Sequence, residues 1–153
     1  MRIEIRKKAR TIRCLAQGHT VFTTRVQLGF AADHGAKRTE GDGKTPEGVY
    51  LVSSKNPLSR FHRALGLSYP NADDAARGLR ADTIGISEFD RIAASPGRPP
   101  WDTRLGGFIM IHGQPNEGAR TGDWTAGCVA LPDPHMEMLY ELARIGDEVI
   151  ILP

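Results

Sequence analysis

Two residues of this sequence have the types and settings needed for nucleophilic chemistry. His112 closes the apolar run Gly107-Phe108-Ile109-Met110-Ile111-His112-Gly113, and Cys128 lies in Thr125-Ala126-Gly127-Cys128-Val129-Ala130-Leu131. A free thiol with a pKa near 8.5 is mostly protonated at neutral pH, and an imidazole within reach can take its proton. A glycine just before the nucleophile lets backbone N–H groups approach a developing oxyanion with no side chain in the way. The carbonyl of Gly113, or another backbone oxygen nearby, can orient the imidazole through its second nitrogen, which makes a triad by role without a carboxylate. These are the requirements of cysteine acyl transfer. Spacing alone leaves two duller readings open: a histidine at a strand end is most often structural, and a Gly-Cys pair is more often a small buried apolar step.

Other chemistries fit the sequence less well. Gly43-Lys44-Thr45 matches the end of a phosphate-binding loop, but Arg38 stands where its first glycine belongs, and Pro46-Glu47-Gly48 and a strand follow where a helix must begin. Cys128, His112, His135 and the other histidines show no HxxxH or CxxC spacing, so no metal centre is expected. Cys14 and Cys128 form no disulfide framework and are expected to be free thiols.

The elements that must carry the pair read as mainly β with a few helices. Ile3 and Ile5 alternate with charged neighbours, Thr11 to Ala16 follows, and Gln17-Gly18 turns into a third strand around Thr20–Leu28. Turns this short make an antiparallel meander. A polar loop from Thr39 to Gly48 leads into a strand at Val49–Val52, and Phe61–Tyr69 reads as extended. Asn71 caps a helix through Arg80, and a second helical stretch runs from Ser87 to Ala94. The run ending at His112 is a short central strand. Asp133 is the expected N-cap of a helix with Pro134 at its first position, whose Met136, Leu139, Tyr140 and Ala143 form a core stripe; Glu148–Leu152 is a closing strand.

At 153 residues, with no linker or repeat, the sequence reads as one domain over 1–153. A net charge of +2 argues against a nucleic-acid partner, and the basic residues near the start read as the solvent face of a strand. No stretch approaches the ~20 apolar residues of a membrane span, and the start lacks the apolar region of a signal peptide. Oligomeric state leaves no mark in the sequence.

Ile111-His112-Gly113, continuing through Gly122-Asp123-Trp124-Thr125-Ala126-Gly127-Cys128-Val129-Ala130-Leu131, resembles the signature of the YkuD-type L,D-transpeptidases. Gly41 to Tyr50, Ser68-Tyr69-Pro70-Asn71 and Gly146 to Ile151 resemble other recurring segments of that family, in the same order, so the resemblance runs from about residue 39 to the C-terminus. It implies a β-sandwich-like catalytic domain, no metal or organic cofactor, peptidoglycan stem peptides as substrate, a place in the cell envelope, and for many members acylation by carbapenems. By position it makes Cys128 the nucleophile, His112 the base and acid, Gly113 the source of the orienting carbonyl, and the N–H groups of Gly127 and Cys128 the oxyanion donors. Thr125, Trp124, Asn116 and Tyr69 become candidates for lining the cleft, with core packing an equal alternative for Trp124 and Tyr69. The family's commoner form reads Ser-His-Gly-Cys with Arg two residues on; here Thr125, Ala126 and Ala130 stand at those three differing positions. These departures bear on how donor and acceptor are held. Water as acceptor would make the protein an amidase or carboxypeptidase, and a silent cysteine would leave a wall-binding module.

Overall fold

Alternation of buried isoleucines with charged residues builds the first strands of a computed structural model that describes residues 1–153. Strands β1 (Arg2–Arg6), β2 (Thr11–Ala16) and β3 (His19–Arg25) form the expected antiparallel meander, with Ile3, Ile5, Ile12 and Cys14 facing inward. The long strand β4 (Gly48–Ser59) turns back into β5 (His62–Leu67). Helices α1 (Ala72–Arg80) and α2 (Ile86–Ala93) follow, then β6 (Met110–His112), β7 (Val129–Ala130), α3 (Asp133–Leu142) and β8 (Glu148–Leu152).

The sheet order is β3-β2-β1-β8-β4-β5-β6-β7, a mixed eight-stranded sheet. The last strand enters the middle of it, parallel to β1 and antiparallel to β4, so the two ends of the chain hold each other. Buried residues from both halves of the sheet and from α3 make one apolar cluster of 21 residues, while Ala75, Ile84, Ile92 and Leu105 form a small second cluster under α1 and α2. The protein is therefore mainly β with three helices, and no helix is long and apolar enough to cross a membrane.

Local details depart from the sequence reading in four places. The third strand stops at Arg25 rather than Leu28, with Gln27 making only an isolated bridge to Ala130. Strand β4 runs well past Val52 because β5 pairs along its length as far as Ser59. Strand β6 is confined to three residues because Phe108 adopts a left-handed backbone, φ 56°, which ends regular pairing. The α3 cap is shifted: Pro132 is the N-cap and Asp133 already helical, since the Asp133 carboxylate instead accepts the Gln114 N–H at 2.7 Å. At α1 the expected cap holds, with Asn71 and Asp74 exchanging side-chain-to-backbone hydrogen bonds of 2.9 and 3.0 Å.

The Thr39–Gly48 loop is a scaffold. One carboxylate, Asp42, accepts the N–H groups of Arg38, Thr39 and Lys44, at 2.7, 3.0 and 3.1 Å. It also pairs with the buried Lys37 ammonium at 3.1 Å. Buried Lys7 reaches over from the end of β1 to the carbonyls of Gly35 and Thr45 and to Glu47. The Thr45 hydroxyl accepts the Gly29 N–H at 3.0 Å, which fixes the loop against the segment that follows β3.

Burial raises the Asp42 pKa, but its three backbone donors and Lys37 outweigh that and hold it below the usual 3.8. The carboxylate therefore contributes stability at pH values above 3.8, and this contribution is lost as pH falls through the lower folded value. Asp42→Asn is expected to lower stability by about 1–3 kcal/mol at neutral pH and to flatten the decline below pH 4, read from urea midpoints between pH 2 and 7. An unchanged midpoint would mean that the loop does not depend on this carboxylate.

Candidate active site

Strands β6 and β7 are parallel, with Ile111 opposite Val129 and His112 opposite Ala130. Ile111 and Val129 are completely buried in the core. Side chains alternate along a strand, so His112 and Cys128, one residue away from each, point out of the other face. There they line one cleft of about 610 Å³. Phe61, Trp124, Phe108, Arg60 and Arg120 make much of its wall, with Asn56, Ser59, Met110 and exposed Leu58 completing it.

The His112 ring is fixed on three sides. It stacks on Phe61 with centroids 4.5 Å apart at 23° and meets Trp124 at 5.7 Å and 57°. Its Nδ1 lies 2.7 Å from the carbonyl oxygen of Gly113. A carbonyl only accepts, so Nδ1 carries the proton and Nε2 is left with the lone pair of a base. Gly113 must be a glycine: a Cβ there would stand 2.5 Å from Asp133 Oδ1 and 2.8 Å from His62 Cβ. Its own N–H donates to the Phe61 carbonyl at 2.9 Å, which ties the orienting carbonyl to the turn that carries the stacking ring.

Cys128 is half-buried, its Sγ 3.3 Å from the Phe108 carbonyl oxygen. Burial raises its pKa above 9.0, opposed by the Met110 N–H and the charge of Lys37. Burial likewise lowers the His112 pKa below 6.5, opposed by the bond to Gly113, while Arg60 lowers it further. Both shifts favour the neutral thiol and the neutral imidazole, and a neutral imidazole has the lone pair a general base needs.

The turn before Cys128 is built by Thr125, whose hydroxyl donates to the Cys128 carbonyl at 2.7 Å and accepts the Gly127 N–H at 3.2 Å. Gly127 has φ 140°, a conformation that side chains rarely adopt, and a Cβ there would stand 2.7 Å from the Lys44 carbonyl oxygen. The polar loop thus packs directly behind the turn that carries Cys128. The Cys128 N–H makes no hydrogen bond within the chain, whereas the Gly127 N–H is engaged by Thr125.

Of the weaker candidates, Trp124 lines the cleft beside His112, and Thr125 is buried beneath it, shaping the turn. Asn116 lies behind the cleft: its side chain accepts the His62 N–H at 3.0 Å and donates to Ser59 at 3.2 Å, which holds the β4–β5 turn. Tyr69 is a core residue, its hydroxyl donating to Leu105 at 2.9 Å and its ring edge-on to Tyr50. Ala126 is exposed and Ala130 is buried. Both cysteines are free, and no group of three His, Cys, Asp or Glu side chains is gathered as for a metal ion.

Sequence reasoning did not find Phe61 or the glutamines that latch the loop before Cys128. Gln27 Oε1 accepts from Trp124 Nε1 and from Gln114 Nε2, both at 2.9 Å, and Gln27 Nε2 donates to the Arg120 carbonyl. Nothing in the local sequence marks them, because each acts on a segment distant in the chain.

A family model described as the L,D-transpeptidase catalytic domain, YkuD, matches residues 1–151. The chain belongs to the YkuD family. The match takes in β1–β3, which the motifs alone did not reach. Over 59 residues the chain is 36% identical to the Escherichia coli (strain K12) protein "Putative L,D-transpeptidase YafK"; this covers 37% of the chain and 24% of YafK. A mutant of the helical cell shape determining protein Pgp2 from Campylobacter jejuni superimposes with TM-score 0.71 at 25% identity, covering 98% of this chain and 46% of Pgp2. The Ldtfm-avibactam carbamoyl enzyme shares the fold, with TM-score 0.57 at 15% identity over 99% of this chain and 48% of that one. This YkuD chain thus spans less than half the length of each of these relatives.

The two thiols are expected to differ sharply. Burial pushes Cys14 up to about 12, and it is fully enclosed in the core. Iodoacetamide should label Cys128 alone in the folded protein and both thiols in denaturant, with Cys128 labelling still climbing as pH passes 9. A labelling rate already at its plateau at pH 7 would show a resting thiolate and contradict the neutral pair.

Proposed function

We propose that this protein is a cysteine acyltransferase that acts on peptidoglycan stem peptides in the cell envelope. The reading rests on one observation: His112, with its proton fixed on Nδ1 by Gly113, shares the cleft of Cys128. Family membership supplies the substrate class.

Nε2 of His112 takes the thiol proton as Sγ attacks the carbonyl of the diamino-acid residue. The carbon–sulfur bond forms, and the carbonyl oxygen becomes an oxyanion facing the Cys128 N–H, with the Gly127 N–H as a second donor once it leaves Thr125. On collapse the carbon–nitrogen bond to the terminal D-alanine breaks, and the imidazolium returns its proton to the leaving amine. An acceptor amine then attacks the thioester, His112 takes the proton that this amine loses, and Sγ leaves as the thiol. The product is a cross-link. Hydrolysis is the second reading, favoured by Ala126 and Ala130: methyl groups stand where the family usually has His and Arg, so neither side chain is there to hold an acceptor or to screen the thioester from water.

The test combines mass spectrometry with product analysis. A carbapenem should add one acyl group to the native protein and none to Cys128→Ala. With a stem tetrapeptide, Cys128→Ala should lose all turnover and His112→Ala should lose on the order of 10²-fold or more. Products made with and without an acceptor amine separate transfer from hydrolysis. Because the neutral imidazole is the active form and its pKa lies below 6.5, kcat/KM should hold its plateau down through pH 6.5 and fall only below it. Turnover persisting in Cys128→Ala, or an acid limb centred above 6.5, would sink the mechanism.

A further inference from the structure

A second cavity, of about 470 Å³, opens beside the Cys128 cleft and has the size of a small-molecule site. Asn56 and Met110 line both, and Met110 projects from the same face of β6 as His112. Trp101 forms part of this cavity and packs on Phe108 of the cleft, with ring centroids 4.3 Å apart at 51°. Gly107 leaves room for the indole, since a Cβ there would stand 2.4 Å from Trp101 Cβ. The indole is thus held where the two cavities meet.

Two polar atoms of residues lining this cavity are buried without a hydrogen-bond partner, Ser53 Oγ and Trp101 Nε1. Ser53 is only 4% exposed. It sits at the irregularity of the β4–β5 ladder between Val52 and Ser54. Across from it, Gly66 makes room for two hydroxyls: a Cβ there would stand 3.1 Å from Ser53 Oγ and 2.3 Å from Ser54 Oγ. Buried polar atoms are nearly always paired, so two unpaired ones on a single cavity wall point to a ligand that pairs them.

The wall selects the chemistry of that ligand. Trp101 Nε1 and the Arg98 guanidinium only donate, while a serine hydroxyl donates or accepts. Asn56 Oδ1 already accepts the Leu58 N–H at 3.0 Å, which leaves its amide hydrogens to offer. No acidic side chain lines the cavity, and the Lys55 ammonium is committed to the carbonyls of Tyr140 and Ala143 at 2.6 and 2.8 Å. Arg98, the remaining cation, is exposed, whereas Ser53 is enclosed. The enclosed groups therefore suit a neutral acceptor better than an anion, whose burial costs far more. Pro99 and Met110 add apolar surface. A neutral carbonyl with a methyl beside it, on a ring that bears hydroxyls, meets all of these conditions.

Resting on the acyl-transfer reading above, we infer that this cavity binds an N-acetylated amino sugar of the glycan strand that carries the stem peptide. Trp101 Nε1 donates to the acetamido carbonyl, Ser53 Oγ bonds a ring hydroxyl, and the acetamido methyl packs on Met110. The protein thus recognises its substrate by sugar as well as by peptide.

The experiment titrates Cys128→Ala with a linear N-acetylglucosamine tetramer and follows the indole N–H resonances of its two tryptophans, Trp101 and Trp124, by NMR. Trp101→Phe assigns them through the resonance it removes. The Trp101 resonance should move saturably in the millimolar range while that of Trp124 stays in place. A glucose tetramer, with hydroxyls where the acetamido groups were, should bind about 10-fold more weakly, the order of one hydrogen bond to a buried donor. Ser53→Ala should weaken binding of the N-acetylated tetramer by about the same factor. With Cys128 intact, a stem tetrapeptide that carries its disaccharide should show a KM about 10-fold below that of the free tetrapeptide, at unchanged kcat, because the tethered sugar raises the effective concentration of the peptide. Trp101→Phe should erase that difference without lowering kcat on the free peptide. A Trp101 resonance that does not move, equal binding of the two tetramers, or equal KM values would overturn the inference. Absence of all turnover would instead defeat the acyl-transfer reading and leave the titration to decide this one.

Discussion

Everything at this site depends on the parallel pairing of two very short strands. By setting Ile111 opposite Val129 in the core, the β6–β7 ladder forces His112 and Cys128 to emerge together on the other face. A slip of one residue would turn His112 or Cys128 toward the core and an isoleucine or valine into the cleft. Such short strands cannot hold a register alone. The Gln27 N–H donates to the Ala130 carbonyl and its own carbonyl accepts from the Ala130 N–H, so the segment after β3 pins the free edge of β7. Burial of the flanking apolar pair and that bridge together make the dyad a consequence of packing.

The same burial sets the chemistry. The ordinary values of the two groups, 6.5 for the imidazole and 9.0 for the thiol, already stand apart, and desolvation widens the gap. Desolvation therefore opposes moving the proton from Cys128 to His112 in the empty cleft. In the proposed reaction the thiol would stay protonated until a carbonyl supplied an oxyanion for the free Cys128 N–H. The Gly113 carbonyl fixes the tautomer without the negative charge that a carboxylate in its place would bring, so an imidazolium there would be poorly stabilised and ready to return its proton.

His112 and Cys128, which the structure brings into one cleft, were legible as a pair because they sit in compact local motifs. A strand-ending His-Gly and a Gly-Cys turn carry their chemistry within a few residues, and the N-cap of α1 at Asn71 and the core stripe of α3 are likewise local. What escaped depends on strand order. Phe61 reaches His112 only because β5 is the neighbour of β6, and β8 pairs with β1 only because the chain ends in mid-sheet. Asn116 and Tyr69 carried motif-level promise, yet the first holds a distant turn and the second fills the core. Asp133 looked like a cap, but a carboxylate with two possible partners goes to the N–H left without one, and Gln114 supplied it. The Gly41–Gly48 segment, read first as a polar loop, proved to be the wall behind Gly127, a role set by close backbone approach and invisible to residue type.

The positive wall of the cleft and the weak base inside it are linked through Arg60. Its charge lowers the His112 pKa in the empty protein. Burial is the larger cause of that depression, and Arg60 adds to it without touching the imidazole, because the Phe61 ring lies between them. Coupling of that kind needs no movement of the fold. The Phe61 and Trp124 rings lie between the guanidinium groups of Arg60 and Arg120 and His112, so Arg60 acts on the imidazole through its charge and neither arginine bonds to the ring itself. The stack of Phe61 and Trp124 on His112 is thus a spacer as well as a wall, and it explains how a site with two cations beside its base keeps Nε2 free for the thiol.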